Sequence, residues 1–253
     1  MSAHDPTWTS QPSVNPRFTI RHFAEIDSTN TYLAGEAVNG APDGLVAVTD
    51  FQSSGRGRFD REWIAPLGSS LLVSVLIRQP DLPLELHNVA AGAALRAALE
   101  QSGVQADMKW PNDLVVGNRK LAGVLSETVG GGNNRAVVIG TGCNLVWKNV
   151  PSEISEVAVT CAELVGDPPD QFRLLDVYLE NLDQYLRDPA SALRDYKAHL
   201  TTLGQRVKVD LFSSSIVGMA EDLLNNCALA VRTDDDKLHE ITAGDVTHLR
   251  VAE

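Results

Sequence analysis

The stretch FQSSGRGRFDREW, residues 51–63, sets Arg56, Arg58 and Arg61 within six positions beside Gly55 and Gly57. Glycine lets backbone N–H groups come close to a ligand, and a guanidinium pairs with a carboxylate or phosphate through two parallel hydrogen bonds. The stretch therefore suits a small anion. Its own acids, Asp60 and Glu62, partly cancel that charge, which suits a loop ordered by its ligand. The same composition also suits a mobile surface loop whose arginines face only water.

A second cluster lies in MKWPNDLVVGNRKLAGVLSE, residues 108–127, where Lys109, Asn112, Asp113, Arg119 and Lys120 gather around a strand end and a turn. Pro111 stiffens the chain between Trp110 and Asn112. A carboxylate beside an amide holds Mg2+ through water or orients an attacking amine, and a lysine steadies charge developing on phosphate. The plainer reading makes Trp110 core, Asp113 a turn cap and the lysines surface charge. A third feature is GTGCNL at 140–145, whose glycines allow close backbone approach to a ligand but equally serve tight packing. Ser28, Thr29 and Asn30 read, on their own, as a helix cap. The chain has neither the glycine spacing of a dinucleotide fold nor a P-loop, and it has no nucleophile elbow. Its six histidines show no paired zinc-ligand spacing. Covalent serine chemistry and zinc hydrolysis are thereby disfavoured.

The elements that must position these residues alternate between strand and helix. RFTIRHF, GLVAVTDF and SSLLVSVLIR read as strands; DSTNTYLAGEAV reads as a capped helix, and LELHNVAAGAALRAALEQSG as a long one. Gly117-Asn118 predicts a hairpin turn and GGGNN at 130–134 a looser one. Residues 170–200 carry helical periodicity broken at Pro189. After Gly204 come QRVKVDLF, SIVGMAEDL, CALAVRT, LHEIT and VTHLRV, five short strand candidates in the manner of a small barrel. The expected division is a disordered lead-in at 1–16, a large domain at 17–203 and a small one at 204–253.

The 253 residues include 21 Lys and Arg against 33 Asp and Glu, a formal charge of −12. A field of that sign repels polyanions, so nucleic acid and anionic membrane are poor partners and any anion site must be local. Cys143, Cys161 and Cys227 have no CxxC spacing, which points to buried thiols in a reducing, cytoplasmic setting. The sequence has no apolar run long enough to span a bilayer.

Taken in order, DSTN at 27–30, GRGR at 55–58 with Trp63, KWPND at 109–113, RKLAG at 119–123 and IGTGCNL at 139–145 resemble the biotin protein ligases. The resemblance runs over roughly residues 17–250. It implies an α/β (α+β) fold, a central mixed sheet with helices plus a small C-terminal SH3-like β-barrel. It also implies a two-step reaction, in which ATP with Mg2+ activates biotin to biotinyl-5′-AMP and a lysine of a biotin carboxyl carrier domain, of acetyl-CoA carboxylase or a related enzyme, then takes the biotin. Carried over residue by residue, it puts Ser28, Thr29, Asn30, Gln52, Gly55, Arg56, Gly57, Arg58, Lys120 and Gly123 at biotin. Arg56, Arg58, Trp63, Lys109, Asn112, Lys120 and Asn144 fall at the nucleotide. Lys120, Arg58 and Asp113 are the catalytic candidates, Asp113 also as a contact for Mg2+.

Phe59 and Asp60 depart from the family loop, where glycine is usual at the second of these positions, and Cys143 replaces a commoner aliphatic residue. The pattern begins near residue 17, so the resemblance implies a ligase without a DNA-binding domain, acting as a monomer or weak homodimer. The competing readings are a lipoate ligase or octanoyl transferase of the same fold, and a noncatalytic binding protein.

Overall fold

The computed structural model describes residues 7–59, 61–78, 82–131, 135–148, 154, 156–211 and 214–249. In chain order the elements are β1 (Thr9–Gln11), β2 (Thr19–Phe23), α1 (Thr29–Val38), β3 (Leu45–Thr49), β4 (Ser70–Ile77), α2 (Leu84–Gln101), β5 (Asp107–Lys109), β6 (Asp113–Val116), β7 (Arg119–Val129) and β8 (Ala136–Asn144). There follow α3 (Cys161–Val165), α4 (Gln171–Arg187), α5 (Pro189–Ala198), β9 (Arg206–Asp210), β10 (Ser215–Leu223), β11 (Leu229–Arg232), β12 (Leu238–Ile241) and β13 (Asp245–His248).

Strands β1 to β8 make one mixed sheet in the order β1-β2-β3-β4-β8-β7-β6-β5. The β2–β3 pair is parallel and its neighbours are antiparallel. At its centre β4 and β8 pair from Ser70 with Asn144 to Ile77 with Val137. Side chains alternate across a strand, so Leu71, Val73, Val75 and Ile77 of β4, with Val137, Ile139 and Cys143 of β8, enter one large core. Helices α2, α4 and α5 cover that face. On α4, Leu174, Tyr178, Leu182 and Leu186 recur every four residues and are buried, each contributing about 1.5–3 kcal/mol where it is fully removed from water. Asp188 ends α4 and caps α5, its carboxylate accepting from Ser191 N (3.1 Å) with Pro189 in the first turn.

Among the described residues helix α1 alone lies on the other face, over a smaller core of Phe23, Ile26, Leu33, Ala47, Leu76 and Val138. That lighter covering leaves part of the sheet open beyond the helix start, and the polar residues gather there.

The C-terminal strands form an antiparallel sheet in the order β12-β11-β10-β9-β13. It is not a separate core: Val207, Val209, Leu229, Val231 and Ile241 pack into the same cluster as the large sheet. Trp110, buried, ties the two, with its backbone N donating to Thr202 Oγ1 (3.1 Å) and its indole Nε1 to Cys227 O (3.1 Å).

Two local expectations need correction. Thr9–Gln11, assigned to a disordered lead-in, form β1, which pairs with β2 and covers its open edge, while the Arg21 guanidinium lies 4.7 Å from the Trp8 ring. Helix α3 was not anticipated, although Thr160 and Glu163 form a full capping box. The GGGNN turn falls between β7 and β8, but residues 132–134, like Asp60, lie outside the described residues.

Candidate functional site

The floor of the open region is built by β4, β7, β8 and the start of α1. Ser28 caps α1, accepting from Thr31 N, and Ser28, Thr29 and Asn30 are all buried. They do more than cap. Thr29 donates from both N (2.8 Å) and Oγ1 (3.0 Å) to Gln52 Oε1, which fixes that amide and leaves its Nε2 free to donate. Ser74 Oγ, from β4, donates to Asn30 Oδ1 (2.6 Å) and lies 2.7 Å from Thr29 Oγ1. Asn30 Nδ2 donates to Glu127 Oε2 (2.8 Å) and Leu125 O (3.3 Å) on β7. Gly140 is required beneath this amide: a Cβ there would fall 2.2 Å from Asn30 Oδ1.

Residues 55–59 and 61–63 fold back against each other over that floor. Trp63 N donates to Gly55 O (3.0 Å) and Gly57 N to Arg61 O (2.7 Å), so that the Arg56 and Glu62 backbones pair as an antiparallel bridge. Gly55 is buried under the returning strand, where a Cβ would lie 2.3 Å from Trp63 O. It therefore closes the hairpin, and its neighbours Arg56, Gly57 and Arg58 line the cavity. The turn passes through Phe59 at φ +55°, with the Arg58 guanidinium 4.7 Å from its ring.

The three arginines have separate anchors. Arg56 makes a two-pronged pair with Glu127, at 2.6 and 3.1 Å. Arg58 Nη1 donates to Gly244 O (3.2 Å) and Asn112 Oδ1 (3.4 Å), and Arg61 forms an ion pair with Asp245. Burial pulls the Arg58 pKa below the ordinary guanidinium value, and the carboxylates of Asp245 and Asp113 partly offset this.

From the second cluster, Lys120 Nζ lies 2.7 Å from Asp113 Oδ1 and 5.3 Å from the centre of the Trp63 ring, a cation over an aromatic face. Asn112 Nδ2 donates to Val124 O (2.6 Å), pinning the strand that carries Asp113. Arg119 turns away to Glu163 (2.8 Å). The Trp63 indole lies on Gly142 and Gly123; at Gly142 a Cβ would come within 2.5 Å of the ring.

Two cavities result. One, about 150 Å³, runs from Ser28, Thr29, Asn30 and Gln52 under Arg56, Gly57 and Arg58 to Gly123 and Asn112. The other, about 380 Å³, is lined by Lys109, Asn144, Trp147 and Val157 among others. Asn144 Nδ2 donates to Val159 O (3.1 Å) and Lys120 O (3.3 Å). Glu62, Trp63, Asp113 and Lys120 line both cavities. Among the described residues no cluster of three or more His, Cys, Asp or Glu is placed to hold a metal ion. Cys143 is buried beside Cys161, and the contact with that thiol, together with burial, pushes its pKa well up, as suits an inert packing residue.

The structure thus brings the arginine loop, KWPND, RKLAG and DSTN to one place. Sequence reasoning missed Ser74, Glu127, Gly244 and Asp245.

The fold agrees with what the chain is similar to. Residues 22–144 match the Biotin/lipoate A/B protein ligase family, and residues 202–249 match the Biotin protein ligase C terminal domain. A biotin–[acetyl-CoA-carboxylase] ligase of Mycobacterium tuberculosis is 31% identical over 90% of this chain and 88% of its own. A bifunctional ligase/repressor BirA of Bacillus subtilis is 27% identical over 83% of this chain and 68% of its own. The biotin protein ligase of Aquifex aeolicus, solved with biotin and ATP, superposes with a TM-score of 0.78 at 26% identity, covering 92% of this chain and 99% of that one. The chain belongs to the biotin protein ligase family. The C-terminal match also favours the biotin branch over the lipoate branch of the wider family.

Proposed function

We propose that the first cavity takes biotin and the second the nucleotide of ATP. The chain activates biotin to biotinyl-5′-AMP and transfers it to a lysine of a carrier protein. The observation that carries this reading is the meeting of two cavities at one lysine–carboxylate pair, Lys120 and Asp113. A carboxylate entering from one side and an α-phosphate from the other would meet at that ammonium.

In the first step a biotin carboxylate oxygen attacks the α-phosphorus, the bond to the β-phosphate oxygen breaks, and pyrophosphate leaves. In the second the acceptor amine attacks the biotinyl carbonyl, the bond to the AMP oxygen breaks, and the amine gives up a proton. Neither step needs an enzyme nucleophile; both need reactants held in line and phosphate charge neutralised. Ser28, Thr29, Asn30 and Gln52 Nε2 would bind the ureido ring, with Gly123 allowing close approach. Lys120 would neutralise carboxylate and phosphate oxygens, Arg56 and Arg58 would close over the adenylate, and Trp63 and Asn144 would hold the base with Lys109 and Asn112 near the phosphates.

Mg2+ would arrive with ATP. Such an ion keeps several waters and binds through phosphates and one or two carboxylates, so the single carboxylate of Asp113 fits it without a protein cage. The acceptor would be the biotin carboxyl carrier domain of acetyl-CoA carboxylase or a related enzyme, in the cytoplasm, with the ligase a monomer or weak homodimer.

Exchange of labelled pyrophosphate into ATP tests the reading. Exchange that depends on biotin and not on lipoate supports it; exchange with lipoate alone would end it.

A further inference from the structure

We infer that Glu127 is a positioning residue for biotin binding, a carboxylate that joins the arginine loop to the start of α1 before any ligand enters. This rests on the assignment of the first cavity to biotin.

Glu127 does not line that cavity. It stands on β7 opposite Val138, beyond Leu125 on the strand face that also carries Gly123. Both of its oxygens accept hydrogen bonds. Oε1 accepts from Arg56 Nη2 (2.6 Å), and Oε2 accepts from Arg56 Nη1 (3.1 Å) and Asn30 Nδ2 (2.8 Å). Through Asn30 the carboxylate reaches Ser74, and through Ser74 and Thr29 it reaches Gln52. One side chain therefore sets the position of the loop and of the polar floor together.

The donors leave no freedom in its chemistry. Three N–H groups from two side chains converge on it, so only an acceptor-only group satisfies them all. An amide would turn its own NH2 toward either Arg56 or Asn30 and break that arm. Ordering a loop on binding costs affinity, and a loop already anchored to the sheet avoids much of that cost. Glu127 touches no reacting atom, so its effect falls on binding of substrate and transition state alike, which appears in KM and not in kcat.

Biotin-dependent pyrophosphate exchange by the full chain tests this. Glu127→Gln fills the same space but should raise the KM for biotin about ten-fold or more, since charged hydrogen bonds are lost. The KM for ATP and kcat at saturating biotin should stay within about two-fold of the wild type. Glu127→Asp, which keeps the charge but is one methylene short, should fall between wild type and Gln. In an Arg56→Gln background the Glu127→Gln change should add less than it does alone, because the Arg56 link is already gone and only the Asn30 link remains to be lost. A biotin KM for Glu127→Gln equal to the wild type, a loss confined to kcat, an Asp variant worse than Gln, or independent multiplication with Arg56→Gln would each overturn the assignment. Absence of biotin-dependent exchange in the wild type would instead reject the function on which it rests.

Discussion

Lys120 is already neutralised by Asp113 and covered by the Trp63 ring before substrate arrives. A carboxylate and a phosphate would take over that ammonium, and its removal would leave their mutual repulsion unrelieved. Lys120→Ala should therefore lower the rate of biotin activation by about 10²-fold or more, measured as single-turnover adenylate formation. Arg58→Gly would open the loop over the reactive anhydride, and biotinylation of bystander lysines should rise; strict carrier selectivity in that variant would count against the role given to Arg58. Gly140→Ala should weaken biotin binding in isothermal titration, because its Cβ would displace Asn30 from Ser74 and Glu127. The motif residues were legible because several types recur at fixed spacing. Ser74 and Glu127 were not: Ser74 is a single polar residue between valines, Glu127 lies in the polar run Ser126-Glu127-Thr128 at a strand end, and only the pairing of β4, β7 and β8 brings them to Asn30.

Among the elements, the arginine loop is held by the C-terminal sheet as well as by the large one. Arg58 reaches Gly244 and Arg61 reaches Asp245, both at the entry to β13. Removing the Asp245 carboxylate with Asp245→Ala should speed proteolytic nicking of the ligand-free loop, while the melting temperature changes little, since the Arg61 side of the pair is largely solvent-exposed.

Helix α2 carries a second, separable test. His87 is fully buried, and its Nδ1 donates to Pro83 O (3.0 Å). Burial lowers its pKa below the ordinary 6.5. As pH falls below about 6.5 the unfolded chain gains a proton that the folded chain resists, so stability is full above that value and is lost on acidification. Melting temperature measured from about pH 7 to about pH 5 should fall less steeply in His87→Gln than in the wild type. Long elements such as α2 and α4 were legible from their periodicity. β1 and α3 were not, being three and five residues long, too short for a period to show.

At the scale of the whole molecule, the net charge of −12 and the local arginine loop act at different ranges, so a small anion would be drawn to the loop where a polyanion would meet a repelling field. The change of sequence style near residue 204 was visible, but the joining of the small sheet to the large core was not, because strand patterns say which side is apolar and not what it meets. That joining is what brings Gly244 and Asp245 to the loop.

The most direct measurement of the account is intact-mass analysis of a biotin carboxyl carrier domain after incubation with this chain, biotin and MgATP. One biotinyl group on a single lysine, absent without ATP and lost with Lys120→Ala, is the predicted result. An unmodified carrier with the wild-type chain, or full modification by Lys120→Ala, would contradict it.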